Sequence, residues 1–88
     1  MVFTKVVLKN KSGLHARPAS LLVELANKYK SEIMIKKKNM IINAKSIMGV
    51  MTLGASKGTE IEIEIEGSDE KEALEAILEL VHNNFNEE

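Results

Sequence analysis

Apolar and polar residues alternate most cleanly in Glu60–Glu66, where Ile61, Ile63 and Ile65 are interleaved with Glu60, Glu62, Glu64 and Glu66. A period of two puts the isoleucines on one face of a strand and the carboxylates on the other, so the segment predicts a half-buried strand. Thr4, Val6 and Leu8 share one face of a first strand with Lys5 and Lys9 opposite, although Val7 breaks the alternation. Ile33 and Ile35, set between Glu32, Met34 and Lys36, predict another strand. Lys36, Lys37, Lys38 and Asn39 read as a solvated turn into a strand over Met40–Asn43, whose inward face stays open because Met40, Ile41 and Ile42 are all apolar.

Helical spacing fills the gaps between these strands. Ala19, Leu22, Val23 and Ala26 form a stripe that runs to about Tyr29, with Leu21 off it and facing solvent. Ser46 suits the N-cap of a short helix that ends near Gly54, a residue able to take the left-handed conformation of a helix end. Asp69 with Glu72 fits a variant capping box, and Leu74, Ile77, Leu78, Val81 and Phe85 mark the buried stripe of a last helix. The order is strand, helix, strand, strand, helix, strand, helix. One apolar sheet face plus apolar helix stripes implies an α+β sandwich of two layers, helices on one side and water on the other. On that wet side the glutamates are expected to face neighbouring lysines, each exposed pair contributing about 0–1 kcal/mol.

Composition narrows the function classes. With 88 residues and no repeat or linker, residues 1–88 are expected to form one domain. A net charge of −1 argues against general nucleic-acid binding, which favours a clearly basic surface. The aromatics are only Phe3, Tyr29 and Phe85, too few for base stacking on a sheet. The absence of cysteine removes disulfides and thiol chemistry. His82 has leucine at 78 and phenylalanine at 85, so it lacks a second metal ligand at helical spacing, and neither metal nor cofactor is expected. No apolar run approaches the roughly 20 residues needed to span a bilayer, and Met1, Val2, Phe3, Thr4 and Lys5 make no leader, so membrane insertion and export are not expected.

The densest chemistry lies in Gly13-Leu14-His15-Ala16-Arg17-Pro18-Ala19, where a strand gives way to a helix. Pro18 suits the first helical turn, where a missing N–H costs little, and Gly13 permits a sharp approach. With His15 as N-cap, the free N–H groups of the residues that follow, Ala16 first, point towards its ring. A helix N-terminus acts as roughly half a positive charge, and the Arg17 guanidinium adds a whole one. Phosphate is favoured at such a place, and imidazole, with an ordinary pKa of about 6.5, is a competent nucleophile near neutral pH. The pattern points to a ring that carries a phosphoryl group.

A second motif is Asn43-Ala44-Lys45-Ser46-Ile47-Met48-Gly49-Val50-Met51. A capping serine remains open to modification, and a phosphate there gains from the helix N-terminus while adding about two negative charges. Ile47, Met48 and Met51 crowd more apolar surface onto one short helix than it can bury. Together with Leu21 they are expected to form an adaptable docking patch beside His15.

Both motifs, in this order and at this spacing, resemble the HPr family, the histidine-containing phosphocarriers of the bacterial sugar phosphotransferase system. The resemblance covers essentially the whole chain. It implies an open-faced β-sandwich, a four-stranded antiparallel sheet with three helices on one face, in a cytoplasmic protein that is a carrier and not an enzyme. His15 then corresponds to the residue that accepts a phosphoryl group on Nδ1 from phospho-enzyme I and passes it to EIIA domains of sugar permeases. Arg17 corresponds to the residue that balances the charge, and Ser12 to a position that helps hold the phosphate. The Ser46 segment resembles the regulatory-serine region of Firmicute-type members. That likeness implies HPr kinase/phosphorylase and the catabolite control protein CcpA as further partners. A regulatory Crh-like paralogue lacks the histidine present here, a nitrogen-branch NPr-like carrier fits the Ser46 region less well, and a binding module with capping residues alone is the rival from another class.

Overall fold

The computed structural model describes residues 1–87. The chain runs through β1 (Val2–Val7), α1 (Ala16–Ala26), β2 (Glu32–Lys37), β3 (Met40–Asn43), α2 (Ile47–Leu53), β4 (Glu60–Glu66) and α3 (Glu70–His82). Its four strands form one sheet in the order β1-β4-β2-β3, every neighbour antiparallel. β4 is central because its isoleucines meet apolar partners on both sides. Val6 pairs with Ile61, while Ile63 and Ile65 are flanked by Ile35 and Ile33. Each of these five isoleucines is at most 2% exposed, which is what a strict period of two demands when one face is packed. Ala19, Leu22, Val50, Leu53, Ala73 and Ile77 close the core from the three helices. In β3 the ambiguity resolves through pairing: Ile42 lies opposite Ile35 and turns half inward, whereas Ile41 remains 57% exposed.

Several expectations need correction. The lysine turn is shorter than its composition suggests, since Lys36 and Lys37 belong to β2 and only Lys38 and Asn39 connect it to β3. Lys37 lies on the helix side, where its ammonium donates to the carbonyls of Leu53 at 3.2 Å and Gly54 at 3.3 Å. A cation is favoured there because the last carbonyls of α2 lack intrahelical partners. Lys36 faces water and pairs with Glu64, which is the one β4 glutamate in an ion pair among the described residues. That contact raises the Lys36 pKa and lowers that of Glu64, chiefly through their shared hydrogen bond.

α1 stops at Ala26, short of Tyr29, because Asn27 caps the end: its backbone and side-chain nitrogens both donate to the Val23 carbonyl, at 3.0 and 2.9 Å. α3 likewise ends at His82, so Phe85 is not on its stripe, and Leu74 and Leu78 are only half-buried. Phe85 reaches the core through a left-handed turn, with φ of 55°, 54° and 63° at Asn84, Phe85 and Asn86. Left-handed residues cost on the order of 1–2 kcal/mol each, less for asparagine, and burial of the Phe85 ring offsets this.

Asp69 precedes α3 but forms no capping box with Glu72. Its carboxylate instead accepts the backbone N–H groups of Lys30 and Ser31, both at 2.9 Å, and the Ser31 hydroxyl at 2.5 Å, while Glu70 accepts the Gly67 N–H at 3.1 Å. The Ser31 hydroxyl and the two amides hold the Asp69 pKa at about 2, against an ordinary 3.8. A carboxyl depressed on folding contributes stability that is complete above its unfolded pKa and fades as pH falls through the folded one. Chemical denaturation should therefore show wild type more stable than Asp69→Ala at neutral pH. The gap should close between about pH 4 and pH 2; a gap constant across that window would remove this role.

Candidate functional site

Residues 8–15 carry the chain from β1 to α1 through a clamped loop. Leu8 donates to the Thr59 carbonyl and Leu14 to the Ala55 carbonyl, at 2.9 and 2.8 Å, which ties the loop to the segment between α2 and β4. Gly13 has φ of +61°, and a Cβ there would lie 2.6 Å from the Ala55 oxygen. The side-chain amide of Asn10, only 2% exposed, donates to the Gly13 carbonyl at 2.7 Å and holds the bend from within.

His15 follows as the N-cap of α1, with extended backbone (φ −75°, ψ −175°). Its carbonyl accepts from Ala19 N–H at 2.8 Å, while its ring makes no capping hydrogen bond and is exposed. Pro18 has no N–H to offer, so the open donors at this helix head are the backbone amides of Ala16 and Arg17. Burial of Pro18 and Ala19 fixes the first turn against the core, leaving Ala16 and Arg17 outside. An exposed imidazole thus stands beside a helix N-terminus and a guanidinium, an arrangement able to receive an anion and to let another protein approach.

α2 supplies the other wall. A cleft of about 360 Å³ is lined by Leu14, His15, Ala16, Met51, Gly54 and Ala55. Ile47, Met48 and Met51 are 41%, 74% and 43% exposed, so three of the four expected patch residues present their apolar atoms to solvent. Leu21 differs from expectation: it is half-buried at the edge of the core rather than solvent-facing. Ser46 caps α2, its hydroxyl accepting the Gly49 N–H at 3.1 Å, and Gly54 ends the helix with φ of 64°. Seven helical residues rise about 10 Å, so the exposed serine stands at the far end of the helix whose last turn borders the His15 cleft. Lys45, beside it, is not a free cation: its ammonium donates to the Tyr29 carbonyl at 2.7 Å.

Two residues near the site, Asn10 and Glu87, escaped sequence reasoning. Glu87 accepts hydrogen bonds from the Ser12 hydroxyl, from Ser12 N–H at 3.3 Å and from the Asn10 amide at 3.1 Å. These contacts, the Ser12 hydroxyl first, lower its pKa, and the charge of Arg17 adds to them. The one available signal was the run Asn83-Asn84-Phe85-Asn86, since asparagine tolerates the left-handed turn that brings Glu87 back.

An open-faced sandwich with an exposed histidine at the head of its first helix defines a class of small phosphoryl carriers. The pattern of the PTS HPr component phosphorylation site matches residues 2–83, and the chain belongs to this phosphocarrier family, whose members are not enzymes. It is 48% identical over 88 residues to a phosphocarrier protein HPr of Treponema pallidum, with both chains covered completely. It is 47% identical over 81 residues to the HPr-like protein Crh of Bacillus subtilis, covering 92% of this chain and 95% of that one. Among solved structures, HPr-C-His from Thermoanaerobacter tengcongensis superposes with a TM-score of 0.97 at 48% identity, covering 100% of this chain and 99% of the other. The expected antiparallel sheet with three helices on one face agrees with that likeness. Among the described residues no helix is long and apolar enough to cross a membrane.

Proposed function

We propose that residues 1–88 act as one cytoplasmic phosphocarrier domain in which His15 relays a phosphoryl group from phospho-enzyme I to EIIA domains. The lone pair of its Nδ1 attacks phosphorus as the P–N bond of the donor histidine breaks and that ring keeps the bonding pair. Onward transfer reverses these roles. The Ala16 and Arg17 amides and the Arg17 guanidinium stabilise the charge on the moving group, with Ser12 a further donor; catalysis is positioning and electrostatics. The observation that carries this reading is the exposed, uncommitted imidazole of His15 at the head of α1. Ile47, Met48 and Met51, with the edge of Leu21, form the surface on which both partners dock, supported by the exposure of the first three around the cleft.

Ser46 is the regulatory site, modified by an ATP-dependent HPr kinase/phosphorylase and read by a CcpA-type regulator. Its exposure and its place at the helix N-terminus favour a phosphate there. The likeness to Crh favours a regulatory role beside the transport one, and His15 distinguishes the carrier.

Incubation with enzyme I and labelled phosphoenolpyruvate tests the first part and should give an acid-labile, base-stable label. ATP with HPr kinase should give an acid-stable label that Ser46→Ala lacks. No label from enzyme I leaves a binding module; no label from the kinase removes the regulatory half.

A further inference from the structure

α2 is held to the core by Val50 and Leu53, and this anchoring turns Ile47, Met48 and Met51 outward. Residues three apart on a helix are neighbours, so the two thioethers share one exposed face. Met51 also lines the cleft that contains His15. The chain has five methionines and neither cysteine nor tryptophan, which leaves thioether sulfur as its most readily oxidised group. Met1 and Met40 are exposed as well but stand apart from that cleft. The Met1 ammonium pairs with Glu70 at 3.2 Å, and Met40 opens β3.

We propose that Met48 and Met51 are modification sites at which a peroxide loosens docking, by converting their thioethers to sulfoxides. This rests on the carrier reading and the docking surface given above. A sulfur lone pair attacks one peroxide oxygen, and an S–O bond forms as the O–O bond breaks. The departing hydroxide takes the proton left on the transferred oxygen and becomes water; sulfur loses two electrons and the peroxide gains them. A sulfoxide oxygen is a strong hydrogen-bond acceptor on a side chain that was apolar. A partner that dries this surface must then strip water from that oxygen without a donor to replace it. The imidazole of His15 is unaltered, so the effect falls on encounter with the partner and not on the transfer step. Neither sulfur belongs to the core, which is why the fold survives the change. Sulfoxide reductases return the thioether, so the modification is reversible.

The test treats the full chain with hydrogen peroxide, locates the added oxygen by peptide mass spectrometry, and follows labelling by enzyme I. With Met48 and Met51 oxidised, the KM for the carrier should rise roughly ten-fold while kcat stays within about two-fold. The two epimer-specific methionine sulfoxide reductases should bring KM back to its untreated value. In Met48→Leu/Met51→Leu, compared with its own untreated sample, peroxide should leave KM where it was although Met1 and Met40 still take oxygen. Three results overturn the proposal: Met48 and Met51 staying reduced while Met1 is oxidised, KM unmoved once both carry oxygen, or an equal rise in the double variant. A treated sample whose melting curve shows lost structure overturns it too, because the rise then comes from unfolding. Met48→Glu with the KM of wild type removes the docking surface itself. Untreated protein that takes no label removes the carrier reading, so the failures are distinct.

Discussion

Alanine at position 15 is expected to abolish acceptance of an acid-labile phosphoryl group while leaving the fold as it is. The ring makes no capping hydrogen bond and is exposed, so its removal sacrifices neither packing nor a cap. Thermal unfolding should accordingly shift by the equivalent of about 0.5 kcal/mol or less. The chemical loss is total because no second imidazole stands ready. His82 lines a different cleft, with Lys5, Val6, Val7, Lys9, Val81 and Asn84, away from the α1 N-terminus and Arg17. Label at saturating enzyme I, with the melting curve measured on the same sample, checks both halves. Acid-labile label persisting in His15→Ala would move the acceptor elsewhere.

The second large effect is structural and sits two residues upstream. A methyl group at Gly13 meets backbone on the neighbouring segment, 2.6 Å from the Ala55 oxygen and 2.7 Å from the Ser56 Cα, in a conformation that side chains disfavour. Neither atom is the end of a flexible side chain, so the loop itself must move. The Leu14-to-Ala55 hydrogen bond of 2.8 Å then weakens. Gly13→Ala should cost about 3 kcal/mol, which lowers the melting temperature by roughly 12–24 °C in a domain of this size. Because the loop carries Ser12 and His15, phosphoryl acceptance measured well below the new melting temperature should also fall. A melting point within about 2 °C of wild type would show that the loop relaxes freely and that the close approach is not needed.

Legibility in the sequence followed the distance over which each feature is encoded. The β4 alternation, the Ser46 cap and the left-handed Gly54 are local: period, cap chemistry and glycine each act within a few residues. The head of the site was equally legible, since His15, Arg17 and Pro18 occupy one turn of helix. Charged and capping groups were misread where their partners are remote. Asp69 looked like half of a capping box but binds residues 38 and 39 positions away. Lys37 looked solvated but caps α2, 16 and 17 positions on. Asparagine at 27 closed a helix whose apolar spacing continued past it.

By itself, then, the sequence determined the strand and helix order, the sheet's two unlike faces and the turn that presents the imidazole, because each arises from short-range periodicity and backbone preference. Tertiary structure alone decided that β4 lies at the centre, that Ile42 turns inward and Ile41 outward, and that α2 walls the His15 cleft. It also placed Glu87 on Ser12, 75 positions away. A polar group takes whichever partner the folded core carries within about 3 Å, and no local pattern records which one that will be.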